Sequence, residues 1–203
     1  MLSGCGRIRT SLRCTTTCSD LQRVGSWVPV RAGTRYPCCM TGTIVQVNIS
    51  PGGLPKRSIA AGMVTSLGIE GDSWAHPQIH GGPRQAVLLI AAETVDELRA
   101  RGHPVFYGAL GENLTTRGLD PRQLRIGQLI RAGGALIEIT KVRGPCSALD
   151  VYGPSIKQDI YDRRVKAGDP TSPRWGMSGF YARVIESGPV RPDDTISVVA
   201  TLA

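Results

Sequence analysis

The stretch LRIGQLIRAGGALIEITKVRGPCSALD, residues 124–150, decides the fold. Gly133 and Gly134 divide it into two apolar runs, 124–133 and 135–143. In the second run Ala135, Ile137 and Ile139 fall on one side, and Leu136, Glu138 and Thr140 on the other. That period of two is the signature of a strand, so the pair predicts two strands joined at a glycine turn. Pro145 lacks the backbone donor a central strand needs, so it ends the second strand and leaves Cys146 in a loop.

The flanking segments extend the pattern on both sides. Upstream, TIVQVNIS (43–50) is β-branched and strand-like, PGGLPK (51–56) breaks it, and GIEGD (68–72) reads as a turn. QAVLLIAA (85–92) is a short continuous apolar run, as expected of a strand buried on both faces. A helix comes next, with Thr94 as its N-cap, Glu97 three residues on as the second half of a capping box, and Gly102 as its stop. Downstream, Ser155 with Gln158 predicts a second capped helix ending near Gly168, and YARVIESG (181–188) and DTISVVATL (194–202) are closing strands. The fold class expected is mainly β: a closed barrel or sandwich with a few peripheral helices.

Composition divides the chain at one place. Of 203 residues, the first 39 hold six arginines against the single acid Asp20, so five of the eight net positive charges sit there. Five of the six cysteines (Cys5, Cys14, Cys18, Cys38 and Cys39) sit there too. The segment has no strand or helix period. It reads as upstream sequence preceding a start at Met40, with a transit peptide or a disordered arm as the other readings. The domain expected is therefore 40–203, preceded by a leader over 1–39. With one cysteine in that domain there is no disulfide framework, which fits a reducing, cytoplasmic setting.

Several classes of function drop out. No run of about 18 apolar residues exists to span a membrane. Ten aromatic residues are few for a base-stacking platform, and the domain's own charge excess is small, so no nucleic-acid partner is expected. There is no phosphate-binding GxxxxGK[ST] loop and no GxGxxG. GMSGF (176–180) is one residue short of a nucleophile elbow. Cys14 and Cys18 with His76 and His80 have pair spacings suited to zinc, but 57 residues lie between the pairs, far more than a finger allows.

Three motifs carry chemistry. HGGPRQAV (80–87) puts His80 beside two glycines ahead of a buried strand, where backbone donors can approach a ligand. GENLTTRGLD (111–120) gathers Glu112, Asn113, Thr115 and Thr116 between glycines. Cys146 comes after Lys141 and Arg143, cations that favour the thiolate. From the residues alone Cys146 stays open between a packed thiol, a nucleophile and a soft-metal ligand. A Cys146–His80–Asn113 triad has no support in the local sequence.

Taken in order, VNISPGGLPK, GIEGD, HGGPRQAV, GENLTTRGLD, LRIGQLIRAGGALIEIT and RGPCSALD resemble the MOSC domain, the module named for the C-terminal part of molybdenum cofactor sulfurase. The resemblance runs over nearly all of 42–200. It implies a MOSC-like β-barrel in which Cys146 carries sulfur as a persulfide or ligates the molybdenum of a pterin cofactor. It also implies an oxidoreductase acting on a small N-hydroxylated substrate, with electrons from a separate donor protein. The alternative it implies is a non-catalytic sulfur carrier loaded by a desulfurase.

On that resemblance Cys146 is the metal ligand and, with His80 as proton donor, the catalytic pair. Lys56, Arg84 and Arg143 would hold the cofactor phosphate, and Glu112 and Asn113 would bond pterin or substrate edges. The sequence departs from some relatives. It has no cysteine cluster for an iron–sulfur centre and no aminotransferase-like domain for cysteine desulfuration with pyridoxal phosphate.

Overall fold

The computed structural model describes residues 40–73 and 81–201. The leader over 1–39, His76 and His80 lie outside the described residues. The element order is β1 (Thr41–Ile49), β2 (Arg57–Ile59), β3 (Gly62–Thr65), β4 (Gly68–Ile69), β5 (Val87–Ala91), α1 (Ala92–Ala100), β6 (Leu114–Arg117), β7 (Gln128–Ala132) and β8 (Ala135–Val142). After β8 come a 3-10 helix (Ser147–Tyr152), α2 (Ile156–Ile160), α3 (Arg163–Lys166), β9 (Phe180–Glu186), β10 (Gly188–Val190) and β11 (Thr195–Thr201).

Seven of these strands close into a barrel, in the order β1-β11-β7-β8-β9-β5-β6 and back to β1. Closure removes the open edges that would otherwise invite pairing with another chain. β1 achieves it by changing partner along its length: Thr41–Thr43 pair with β11, Thr43–Val47 with β6, and Val47–Ile49 with β2. β5 and β6 pair in parallel, and the crossover between them carries α1. The mainly β barrel with few helices is as the sequence pattern predicts.

The hairpin of β7 and β8 turns at Gly133–Gly134, with Ala132 opposite Ala135. Ala135, Ile137 and Ile139 are all completely buried inside the barrel, as the alternation requires. Each isoleucine removed from water there contributes roughly 1.5–3 kcal/mol. β5 is buried along its whole length because two cores flank it. Val87 and Leu89 enter the barrel interior beside Ile44, Ile130 and Phe180. Leu88 and Ile90 face a second core made with Val95 and Leu98 of α1, Leu149 and Ile156.

Some local expectations are corrected. GIEGD is not only a turn: Gly68–Ile69 form the short strand β4 before the chain reverses. α1 starts at Ala92 directly from β5, with Ala91 as its N-cap and no side-chain cap. Thr94 is therefore inside the helix and buried, because the apolar face of α1 must reach the second core. Gly102 does end it, at φ +90°. The second predicted helix is two short ones, α2 and α3. It breaks at Asp162, whose carboxylate accepts from the Val165 N–H at 2.8 Å and caps α3. Among the described residues no helix is long and apolar enough to cross a membrane.

Candidate functional site

A β-bulge sets the site. Between β8 and β9, Ile139 faces Ala182 and Lys141 faces Tyr181, so Thr140 is the extra residue on β8. The bulge bends β8 and re-aims the segment from Lys141 to Cys146. The Thr140 hydroxyl turns inward, where the carbonyls of Arg84 and Tyr181 lie at 2.5 and 3.0 Å. Beyond the bulge the Arg143 N–H donates to the Gly179 carbonyl at 2.9 Å, and the Ser178 hydroxyl donates to the Arg143 carbonyl at 2.6 Å. These bonds pin Arg143 on the second-core side of the barrel, three residues before Cys146. Cys146 then caps the 3-10 helix Ser147–Tyr152 in an extended conformation.

A cavity of about 160 Å³ opens there, walled by the loops before β2, before β6 and after β8. That is on the order of ten times the space a single water needs, so it suits a ligand of many atoms. Leu54, Leu88, Leu110 and Ala148 form its apolar part. Lys56, Gln85, Asn113, Arg143, Cys146 and Tyr181 form its polar part. The Cys146 thiol is free and half-buried.

Behind the polar wall lies a buried network. Lys56 and Asp72 form an ion pair with side chains 7% and 1% exposed. Burial pushes the Lys56 ammonium below its usual range, and Asp72 opposes that shift. Asp72 also accepts from the Ser50 N–H at 2.9 Å and from Asn113 Nδ2 at 2.8 Å. The Asn113 side-chain oxygen accepts from the Leu88 N–H at 3.1 Å, and its Nδ2 also donates to the Asn48 carbonyl at 3.3 Å. Asn113 thus spends its side chain on fixing β1, β5 and the Lys56–Asp72 pair.

Glu112 is completely buried and stands behind the wall instead of on it. Its Oε1 accepts from the Gly108 N–H at 2.6 Å and the Thr115 hydroxyl at 3.1 Å. Among the described residues its Oε2 has no partner, and neither has the buried Nη1 of Arg143. Burial drives the Glu112 carboxyl upward, with Arg143 among the groups opposing it. Burial also raises the Tyr181 phenol, against the pull of the adjoining Arg143.

Of the residues singled out by sequence, Lys56, Asn113, Arg143 and Cys146 meet on one cavity, and Glu112 supports it from behind. Arg84 does not line it: its side chain is exposed beside Gln85, which does. His80 lies outside the described residues. Tyr181 and Asp72 went unread. Tyr181 opens the strand YARVIESG and Asp72 ends the turn GIEGD, so the patterns that placed them gave each a structural explanation. Among the described residues no group of three or more His, Cys, Asp or Glu side chains could hold a metal unaided.

The wall fits a group that is anionic and coordinated through sulfur. A thiol and the buried Arg143 guanidinium share it, beside a Lys56 whose charge Asp72 balances, and an acceptor brought beside Arg143 would satisfy a donor whose isolation otherwise costs about 1–3 kcal/mol.

The MOSC domain matches residues 76–197. The chain is 36% identical over 149 residues to Protein YiiM of Escherichia coli (strain K12), covering 70% of this chain and 60% of that one. It is 30% identical over 155 residues to the uncharacterized protein YflK of Bacillus subtilis (strain 168), covering 75% and 65%. It thus spans less than two thirds of the length of either relative. A reductase of Gibberella moniliformis (strain M3125 / FGSC 7600) is 29% identical over 143 residues, 66% of this chain but 23% of that protein. The crystal structure of YiiM from Geobacillus stearothermophilus superimposes with a TM-score of 0.59 at 26% identity, covering 78% of this chain and 75% of that one.

Proposed function

The chain belongs to the MOSC domain family, and from that premise we propose that it binds a molybdenum cofactor and reduces N-hydroxylated compounds with electrons from a separate donor protein. The observation that carries this reading is the sharing of one cavity wall by the Cys146 thiol, the buried Arg143 guanidinium and the buried Lys56 ammonium. The likeness of part of the chain to a fungal reductase supports the reaction class.

When bound, the cofactor supplies a two-electron redox centre ligated by sulfur. The chain's own residues divide the remaining work. Cys146 offers a thiolate as a further soft ligand. Arg143 neutralises an anionic part of the ligand in a forked geometry suited to phosphate, and Lys56, its charge balanced by Asp72, donates hydrogen bonds to the ligand. Asp72 and Asn113 keep Lys56 at its station. Leu54, Leu88 and Leu110 exclude water, which strengthens those charge contacts. Tyr181 braces the Arg143 side chain. His80, which precedes the cavity-lining Gly81 in sequence, is assigned proton delivery. The overall change converts N–OH, two electrons and two protons into N–H and water.

The test is turnover of an N-hydroxylated base by protein from a cofactor-competent host, with reduced methyl viologen as donor. Reduction of the substrate is the expected result. No turnover, with a Cys146 mass increase of one sulfur atom, would replace this reading with the sulfur-carrier one.

A further inference from the structure

The rim of the cavity carries features that ligand binding inside it does not use. Residues three apart in a 3-10 helix eclipse one another. In Ser147–Tyr152 this puts Val151 on the same edge as Ala148, which lines the cavity, while Leu149 and Tyr152 face the core. Val151 is 74% exposed, the most exposed large apolar side chain among the described residues. Phe106, 43% exposed, meets the Tyr152 ring edge-on at 6.4 Å and extends the apolar surface.

Two cations border the same mouth. The Lys141 ammonium lies 5.2 Å from the centre of the Tyr181 ring, which is itself on the cavity wall. Arg84 is held beside Lys141 through its carbonyl, which accepts from the Thr140 hydroxyl at 2.5 Å. Both side chains are exposed, and neither forms an ion pair among the described residues. The Asp150 carboxylate on the 3-10 helix is already paired with Lys157 at 2.9 Å, so it does not cancel them. Exposed apolar side chains and unpaired cations around one mouth are features of a transient protein interface steered by charge.

We propose that the rim of this cavity, with Val151 beside Ala148, Lys141 over Tyr181 and Arg84 beside Gln85, is the docking surface for an acidic electron-transfer protein. The inference rests on the reductase reading above. Each N–OH reduced consumes two electrons, so the partner gives both from a reduced flavin or two copies give one each, and the partner is left oxidised. Docking at the mouth brings the donor to the side of the cavity that holds Cys146.

The experiment compares two donors for the same N-hydroxylated base: a reduced acidic flavodoxin, and reduced methyl viologen, which needs no docking surface. In the double variant Arg84→Glu/Lys141→Glu, KM for the flavodoxin rises about tenfold or more, and in wild type it rises with salt. Val151→Asp raises it as well. The docking effect is read as flavodoxin KM relative to viologen turnover of the same variant, so any change that Lys141→Glu makes at the cavity through Tyr181 is divided out, and an unchanged unfolding midpoint reports an intact fold. A flavodoxin KM unchanged by the variants and by salt overturns the docking surface. So does a dimer in wild type that becomes a monomer in the charge-reversed variant, which would assign the rim to a second copy of this chain. So does a variant that loses nucleic-acid binding while keeping its flavodoxin KM. Failure of viologen turnover in wild type overturns the reductase reading instead.

Discussion

Asn113 and Asp72, forty-one residues apart, meet behind the cavity: Nδ2 of Asn113 donates to Oδ2 of Asp72 at 2.8 Å. The Lys56 ammonium lands on the same carboxylate oxygen. Three loops that approach the cavity from different directions are thereby locked to one buried charge. An ion pair so deep is expensive to break on one side, because the survivor is left uncompensated.

Asp72→Ala therefore destabilises the fold by about 3–5 kcal/mol. Adding Lys56→Met to Asp72→Ala restores a large part of that loss, since no buried ammonium then remains. Urea unfolding of the two variants checks it. A double variant no more stable than Asp72→Ala would show that the hydrogen bonds to Ser50 and Asn113, and not the stranded charge, dominate.

Glu112 gives a prediction in pH. Burial raises its carboxyl, so the folded chain holds that proton to a higher pH than the unfolded chain does. The stability it contributes is complete below about pH 4.3 and is lost as pH rises toward the folded value. Glu112→Gln removes the titration. Over that window its stability relative to wild type grows by up to about 1.4 kcal/mol per pH unit. Parallel stability curves for the two proteins between about pH 4 and pH 7 would contradict a raised Glu112.

Two glycines separate steric from conformational cost. Gly108 has φ +96°, and a Cβ added there would lie 2.3 Å from the Lys56 carbonyl oxygen. Gly102 has φ +90° and open space around the added atom. Gly102→Ala should cost about 1 kcal/mol from backbone strain alone, and Gly108→Ala clearly more, with displacement of Lys56. Equal costs in thermal unfolding would mean that the Lys56 loop yields freely.

The barrel was legible because its strands announce themselves locally. Ile137 and Ile139 alternate with Glu138 and Thr140, and the glycine pair and Pro145 mark where strands stop. What failed locally failed for tertiary reasons. Thr94 has the sequence of a cap but the position of a core residue, because β5 runs into α1 with no connecting loop. The site was half legible. Lys56, Asn113, Arg143 and Cys146 were picked out by motif and do converge. Their division of labour was not visible, because it depends on long-range partners: Asp72 for Lys56, Leu88 for Asn113, Tyr181 for Arg143. Arg84 adjoins the cavity in sequence but projects outside it, since the Thr140 bulge takes its carbonyl and leaves its side chain in solvent.

The central claim is that Cys146 holds a molybdenum cofactor in the Arg143–Lys56 cavity. Elemental analysis tests it most directly, on wild type and Cys146→Ser purified side by side from a cofactor-competent host, with unfolding midpoints measured in parallel. Molybdenum near one atom per chain in wild type and its loss in the variant, with folding intact, is the expected result. Equal molybdenum in both would contradict the role of Cys146, and none in either would contradict the cofactor itself.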